Sequence, residues 1–187
     1  FSHSSANMSF ERELDFKVGN GFFRRLWVSS PASTKSADGL GPLFNARSCQ
    51  NCHLKDGRGH APSGNWPQDD AVSMFLRLSI PPNNEIQKRM IFEHRLNTIP
   101  DPTYGGQLQD LAIQGHNAEG KMHIEYQEIK QNFRDGTIVS LRKPTYSIED
   151  WKYGPPHPLL QISPRVASPM IGLGLLEAIS KKDILVN

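Results

Sequence analysis

The residues best suited to chemistry are Cys49, Cys52 and His53, in the run Ser48-Cys49-Gln50-Asn51-Cys52-His53. Two thiols three positions apart share one face of a single helical turn. From there they can add to the two vinyl groups along one edge of a porphyrin. The histidine follows at once, so its imidazole reaches the iron from the same side. C-x-x-C-H is the attachment sequence of a c-type haem. Cys49 and Cys52 would tether the macrocycle, and His53 would be the proximal axial ligand. One such motif predicts one covalent haem c, with its iron, per chain. Two other uses of C-x-x-C fit less well. A zinc site takes about four ligands, usually in Cys/His pairs, and the chain has only 2 cysteines. A thioredoxin-like pair follows a buried strand and opens a long helix. Here Gly39-Leu40-Gly41-Pro42 precedes the motif and Asp56-Gly57-Arg58-Gly59 follows it, so the expected helix is short.

The other face of the iron decides what such a haem does. A methionine there makes a low-spin electron carrier, and an open position lets peroxide bind. Met170 is the first candidate ligand, because it follows Pro169 and precedes the last expected helix. Met74, Met90 and Met122 lie in strand-like or polar segments. His3, His60, His94, His116, His123 and His157 are the alternatives, and a lone histidine is more often solvated or hydrogen-bonded. An open position needs a base and polar donors to split an O–O bond. Arg165 has the planar fork that suits a haem propionate. Arg47, Arg58 and Trp66 are weaker candidates for that role, and Tyr104 is expected to pack in its turn.

The elements that must hold these residues are readable in outline. Phe10, Leu14, Val18 and Phe22 recur every four residues and predict a helix over Ser9–Trp27, with Ser9 as N-cap. Leu54 to Gln68 reads as loop. Val72, Met74, Leu76, Leu78 and Ile80 alternate and predict a strand over Ala71–Ile80. Asn83 to Pro102 is mixed, and Gln107 to Ala112 reads as one or two helical turns. Met122 to Tyr146 predicts a β-hairpin around Arg134-Asp135-Gly136. Trp151 to Pro169 is proline-dense and reads as loop, and Gly172 to Ser180 as the last helix. Helix, haem motif, long insertion, loop and helix together predict a mainly α, cytochrome c-like haem domain, loop-rich, with a β-hairpin in the insertion. Residues 1–187 are expected to form one such domain, with 81–165 inserted within it.

Composition sets outer bounds. At 187 residues the chain can bury one sizeable core. A net charge of +2 is too balanced to argue for nucleic acid or an anionic membrane. No apolar run approaches the roughly 20 residues of a transmembrane helix. Phe1-Ser2-His3-Ser4-Ser5 carries no signal-peptide pattern and reads as the start of a mature or trimmed chain. Covalent haem attachment in bacteria implies a periplasmic or secreted location, its signal already removed.

Residues Gly39 to His53 with Asp56-Gly57-Arg58-Gly59, then Tyr104-Gly105-Gly106-Gln107-Leu108-Gln109, Glu119-Gly120 and Ser163 to Ile179, resemble the N-terminal half of the bacterial di-haem oxidoreductases of the peroxidase or thiol oxidoreductase type. The resemblance runs from about Phe10 to the end. It implies peroxide reduction at the haem, with electrons from a second haem domain or an external donor protein, and a small-molecule oxidant such as peroxide as substrate. It also implies roles on the distal side. Gln107 and Glu119 are similar in order and spacing to a Gln and a Glu that line the distal pocket there: Glu119 as acid/base, Gln107 as stabilising donor. The blander reading has Gln107 filling a turn and Glu119 capping a loop. The family carries two C-x-x-C-H motifs and this chain one, so a fragment or a single-haem relative is expected. The alternative function is an electron-transfer module with His53/Met170 ligation and no catalysis.

Overall fold

The computed structural model describes residues 2–70 and 72–186. Phe1, Ala71 and Asn187, named above at the chain start, in the expected strand and at the chain end, lie outside those residues. Ser9 does cap the first helix, α1 (Phe10–Arg24), its hydroxyl accepting the Arg12 N–H at 3.4 Å. Glu11 and Glu13 in the first turn and Arg24 in the last suit the helix dipole. The chain then runs through β1 (Val28–Ser29), β2 (Asp38–Leu40) and β3 (Leu43–Phe44) into α2 (Cys49–Cys52). β4 (Met74–Ser79) follows, then α3 (Glu85–Phe92), capped by Asn84, whose side chain accepts the Gln87 N–H at 2.9 Å. β5 (Leu111–Ala112), the long hairpin β6 (Lys121–Asn132) and β7 (Ile138–Glu149), β8 (Gln161–Val166), α4 (Leu173–Glu177) and α5 (Lys181–Val186) complete the order.

The core is built on β4. Its alternation puts Met74, Leu76 and Leu78 inward, each at most 2% exposed. β8 pairs with one edge of β4, Leu76 lying opposite Pro164. The 106–108 segment lies on the other edge: the Leu78 N–H donates to the Gly106 carbonyl and the Leu108 N–H to the Leu76 carbonyl. Leu76 and Leu78 thus direct their backbone groups away from β8. Pro164 sits in a non-hydrogen-bonded pair, so its missing N–H costs the ladder nothing. Leu76, Leu78, Tyr104 and Leu108 form the cluster, with Met122, Tyr146, Ile148, Trp151 and Ile162 packed against it. Each buried leucine contributes on the order of 1.5–3 kcal/mol.

A mainly α, cytochrome c-like fold is therefore not what forms. The chain is 24% helical and 27% strand, with five short helices and several small sheets. The physical reason is where the apolar side chains go. The stripe Phe10, Leu14, Val18, Phe22 is 84, 59, 54 and 53% exposed, and α1, α4 and α5 bury no residue. Helical periodicity shows which face is apolar, not what covers it. The expected helical turns at Gln107–Ala112 are extended, because that stretch completes the β4 sheet and then enters β5. The expected loop at 151–169 contains β8. The hairpin is present and longer than expected, its turn closed by Gly136 at φ +85°.

Candidate haem site

α2 is a four-residue helix capped by Ser48, whose hydroxyl accepts the Asn51 N–H at 3.2 Å. One turn puts Cys49, which is exposed, and the half-buried Cys52 on one side. The His53 N–H closes the turn on the Cys49 carbonyl at 3.0 Å. Lys55 and Asp56 then take left-handed φ values of 52° and 61°, which bends the chain away. The His53 Nδ1 lies 2.6 Å from the Ser168 carbonyl oxygen. A carbonyl can only accept, so Nδ1 carries the proton and Nε2 keeps its lone pair. Such a bond fixes both tautomer and ring orientation of a ligating imidazole. Phe23 of α1 lies beside the ring, centroids 6.4 Å apart. Burial, the charge of Asp110 and Cys49 push the Cys52 thiol up, and its Sγ–H donates to the Val72 carbonyl at 3.0 Å. Two thiols on one turn and an imidazole with a free Nε2 are the donor set that a covalently attached haem requires. Among the described residues no group of three or more His, Cys, Asp and Glu side chains is arranged to hold a metal ion.

The outward face of β4 gathers polar groups. Arg165 lies opposite Phe75 on β8, and Gln107 lies opposite Arg77, so Arg165, Arg77 and Gln107 share this face. Arg77 Nη1 donates to Gln107 Oε1 at 3.5 Å, and Gln107 Nε2 donates to Asn45 Oδ1 at 2.6 Å. Asn45 Nδ2 donates to the Leu108 carbonyl at 2.7 Å and to Asp110 Oδ1 at 2.8 Å. β3 pairs with β5 as far as Phe44 opposite Leu111, and Asn45 and Asp110, the next residue on each side, meet through their side chains. The Arg165 side chain is exposed.

Glu119 is 8% exposed and borders the same segment from its other side. Its Oε2 accepts the Gln109 N–H at 2.6 Å, and its own N–H donates to the Gln109 carbonyl. Burial pushes its carboxyl up, the Gln109 N–H pulls back, and the nearby Asp101 charge adds to the rise. Asp101 goes the other way. Burial alone would raise it, but the N–H groups of His157, Tyr104 and Thr103 together hold it below the usual carboxylate range. Gln107 thus lies within the segment and reaches Asn45, while Glu119 pairs with Gln109 of the same stretch.

Met170 is half-buried, and its N–H donates to the Asp56 carbonyl at 2.9 Å. Its segment is thus tied to the turn after His53, two residues from the carbonyl that backs the imidazole. The histidines are scattered. His157 gives its N–H to Asp101, His123 sits between Glu125 and Glu149, His94 ends α3, and His60 and His116 are exposed. Tyr104 packs on Trp151 at 4.4 Å and donates to the Gly154 carbonyl. Arg47 donates to the Trp27 carbonyl, and Trp66 is 72% exposed. Sequence reasoning missed Asn45, Arg77, Asp110 and Ser168. Arg77 was visible as the one charge in an alternating apolar strand; the others become neighbours only through strand pairing.

Residues 1–187 match a family model described as "Di-haem oxidoreductase, putative peroxidase". No curated protein and no solved structure matches the chain.

Proposed function

The chain belongs to the di-haem oxidoreductase family, and from that premise we propose that it is a c-type haem domain that reduces peroxide, its electrons supplied by a second haem domain or an external donor protein. When bound, the haem supplies the iron at which peroxide is reduced. Cys49 and Cys52 would hold it covalently, and His53 Nε2 would serve as its proximal ligand. Arg165, exposed on β8, would offer a fork to a propionate. Glu119 takes the first proton of peroxide and returns it to the leaving oxygen. Its upward shift supports that role, because a proton-transfer group works best with its pKa near the operating pH. Gln107 uses one amide N–H on Asn45 and keeps a second for developing negative charge. Covalent attachment supports a periplasmic location.

The observation that carries this reading over the electron-carrier one is the hydrogen bond from His53 to Ser168. The bond ties the Ser168 carbonyl to Nδ1, the ring nitrogen away from Nε2, and Met170 follows two residues later. A thioether tethered that close to the Nδ1 side is poorly placed to reach the opposite face of an iron that Nε2 would hold. Glu119→Gln keeps an acceptor for the Gln109 N–H and should abolish peroxide turnover with haem content unchanged. Retained turnover rules Glu119 out. A near-infrared thioether-to-iron band that disappears in Met170→Ala would replace peroxide reduction by electron carriage.

A further inference from the structure

The geometry points to the outer edge of β6 as the contact between two copies of this chain, which pair antiparallel over Tyr126–Asn132 with Ile129 on the two-fold axis. The inference is independent of the haem reading. The Phe133 N–H donates to the Thr137 carbonyl at 2.9 Å, and the β6–β7 register carries that pattern down the ladder. Odd-numbered residues of β6 therefore bond to β7, and even-numbered ones turn their N–H and C=O outward. At the base this edge is already filled: the Asn65 side chain donates to the Ile124 carbonyl at 2.9 Å and accepts the Ile124 N–H at 2.8 Å. Past that point the outward groups belong to Tyr126, Glu128, Lys130 and Asn132, and no strand among the described residues pairs with this edge. The Asn132 carbonyl accepts the exposed Gln131 amide at 3.3 Å, a contact that an incoming strand replaces.

The two edges of the hairpin are not alike. On β7 Pro144 lies opposite Tyr126, so it falls in the outward-facing set and interrupts the row of donors. β6 contains no proline, and a bare edge is a template for another strand. Charge then selects the partner and the register. Centred on Ile129, a second β6 sets Glu128 of each copy against Lys130 of the other, and it covers the edge from the end of the Asn65 contact to the turn. The next registers that the hydrogen bonding allows set Glu128 against Glu128 or Lys130 against Lys130. Opposite charges facing across a strand pair stabilise it, and like charges destabilise it. The same register completes an apolar row. Ile129 and Leu141 lie opposite each other, 39 and 52% exposed, on the face turned away from the core-packed Met122, Tyr146 and Ile148. Pairing about Ile129 brings the Ile129–Leu141 pairs of both copies into line. Each copy presents the same patch, as a two-fold contact requires. So short an edge gives a weak, concentration-dependent dimer.

The test is the solution mass of the full chain over a concentration series, by sedimentation equilibrium. Wild type should rise towards twice the chain mass. Lys130→Glu and Glu128→Lys should each hold the monomer mass, and the double variant Glu128→Lys/Lys130→Glu should restore the rise. A wild type that stays monomeric throughout overturns the proposal. So does a dimer that survives both single reversals, or one that the double variant fails to recover. Ile129→Cys reads the register directly, because a non-hydrogen-bonded pair on the axis brings its Cα atoms to about 4.5 Å, within reach of a disulfide. Under oxidation it should link the substituted positions of two copies, as located by peptide mass spectrometry, and Gln131→Cys should not. A missing link at Ile129→Cys, or an equal one at Gln131→Cys, overturns the proposal as well.

Discussion

His53 shows how far a local motif reaches. C-x-x-C-H could be read from sequence because tethering and ligation would need only one helical turn, and α2 is one such turn. The proton on Nδ1 was not legible, since its acceptor lies 115 residues away. With the ring removed, His53→Ala should keep the haem on its two thioethers but lose the proximal-ligand spectrum; denaturing gels stained for haem, beside visible spectra, separate the two effects. Asp101 carries a pH prediction. Its folded pKa is depressed, so its contribution is full above the ordinary value of about 3.9 and fades as pH falls through the folded value. Asp101→Asn cannot accept from both Tyr104 and Thr103 on one side and His157 on the other. It should cost about 1–3 kcal/mol at neutral pH, and the gap to wild type in urea unfolding should narrow below about pH 3.9 and close only below the depressed folded value. A gap that persists in acid would place the effect elsewhere.

Among the elements, β4 was found by its alternation and the hairpin by its Asp-Gly turn, because both patterns are written in neighbouring residues. β8 was hidden by Pro164, which is harmless only because its partner Leu76 bonds the opposite way. Leu76→Ala should cost about 2–5 kcal/mol, as large-to-small changes in tight cores do. The hairpin divides into two parts. At its base Met122, Tyr146 and Ile148 pack on the core, while from Gln127 and Lys143 outward nearly every residue is exposed. Replacing residues 128–142 by a two-residue Asn-Gly turn should therefore change stability by less than about 0.5 kcal/mol. A larger loss in thermal melting would show that the tip supports the body. The connection after α2 is less forgiving. A Cβ on Gly59 would stand 2.6 Å from the Ser73 Cβ and 3.0 Å from the Cys52 carbonyl oxygen, so Gly59→Ala should cost about 1–3 kcal/mol and lower haem occupancy together.

At the scale of the whole molecule, the sequence pointed to the family the chain belongs to but to the wrong scaffold. The haem motif and its apolar first helix suggested a helical bundle. The molecule instead centres on a strand, and it leaves the helices' apolar faces, including Leu175, Leu176 and Ile184, open. The candidate site joins what the strands bring together: Asn45 before the motif, Arg77 within β4, and Gln107, Asp110 and Glu119 beyond it. None of these pairings is visible in spacing, because each depends on which strands become neighbours.

The bond between His53 and Ser168 also imposes an order in time. Both thiols and the imidazole leave the ribosome well before Ser168 does. Closing so long a loop is a late event, since distant contacts form only after local ones have reduced the chain's freedom. A haem attached to the early chain would meet an imidazole still free to present either nitrogen. On the haem reading, attachment and correct ligation would then be separate steps of maturation, the second waiting until Ser168 reaches His53.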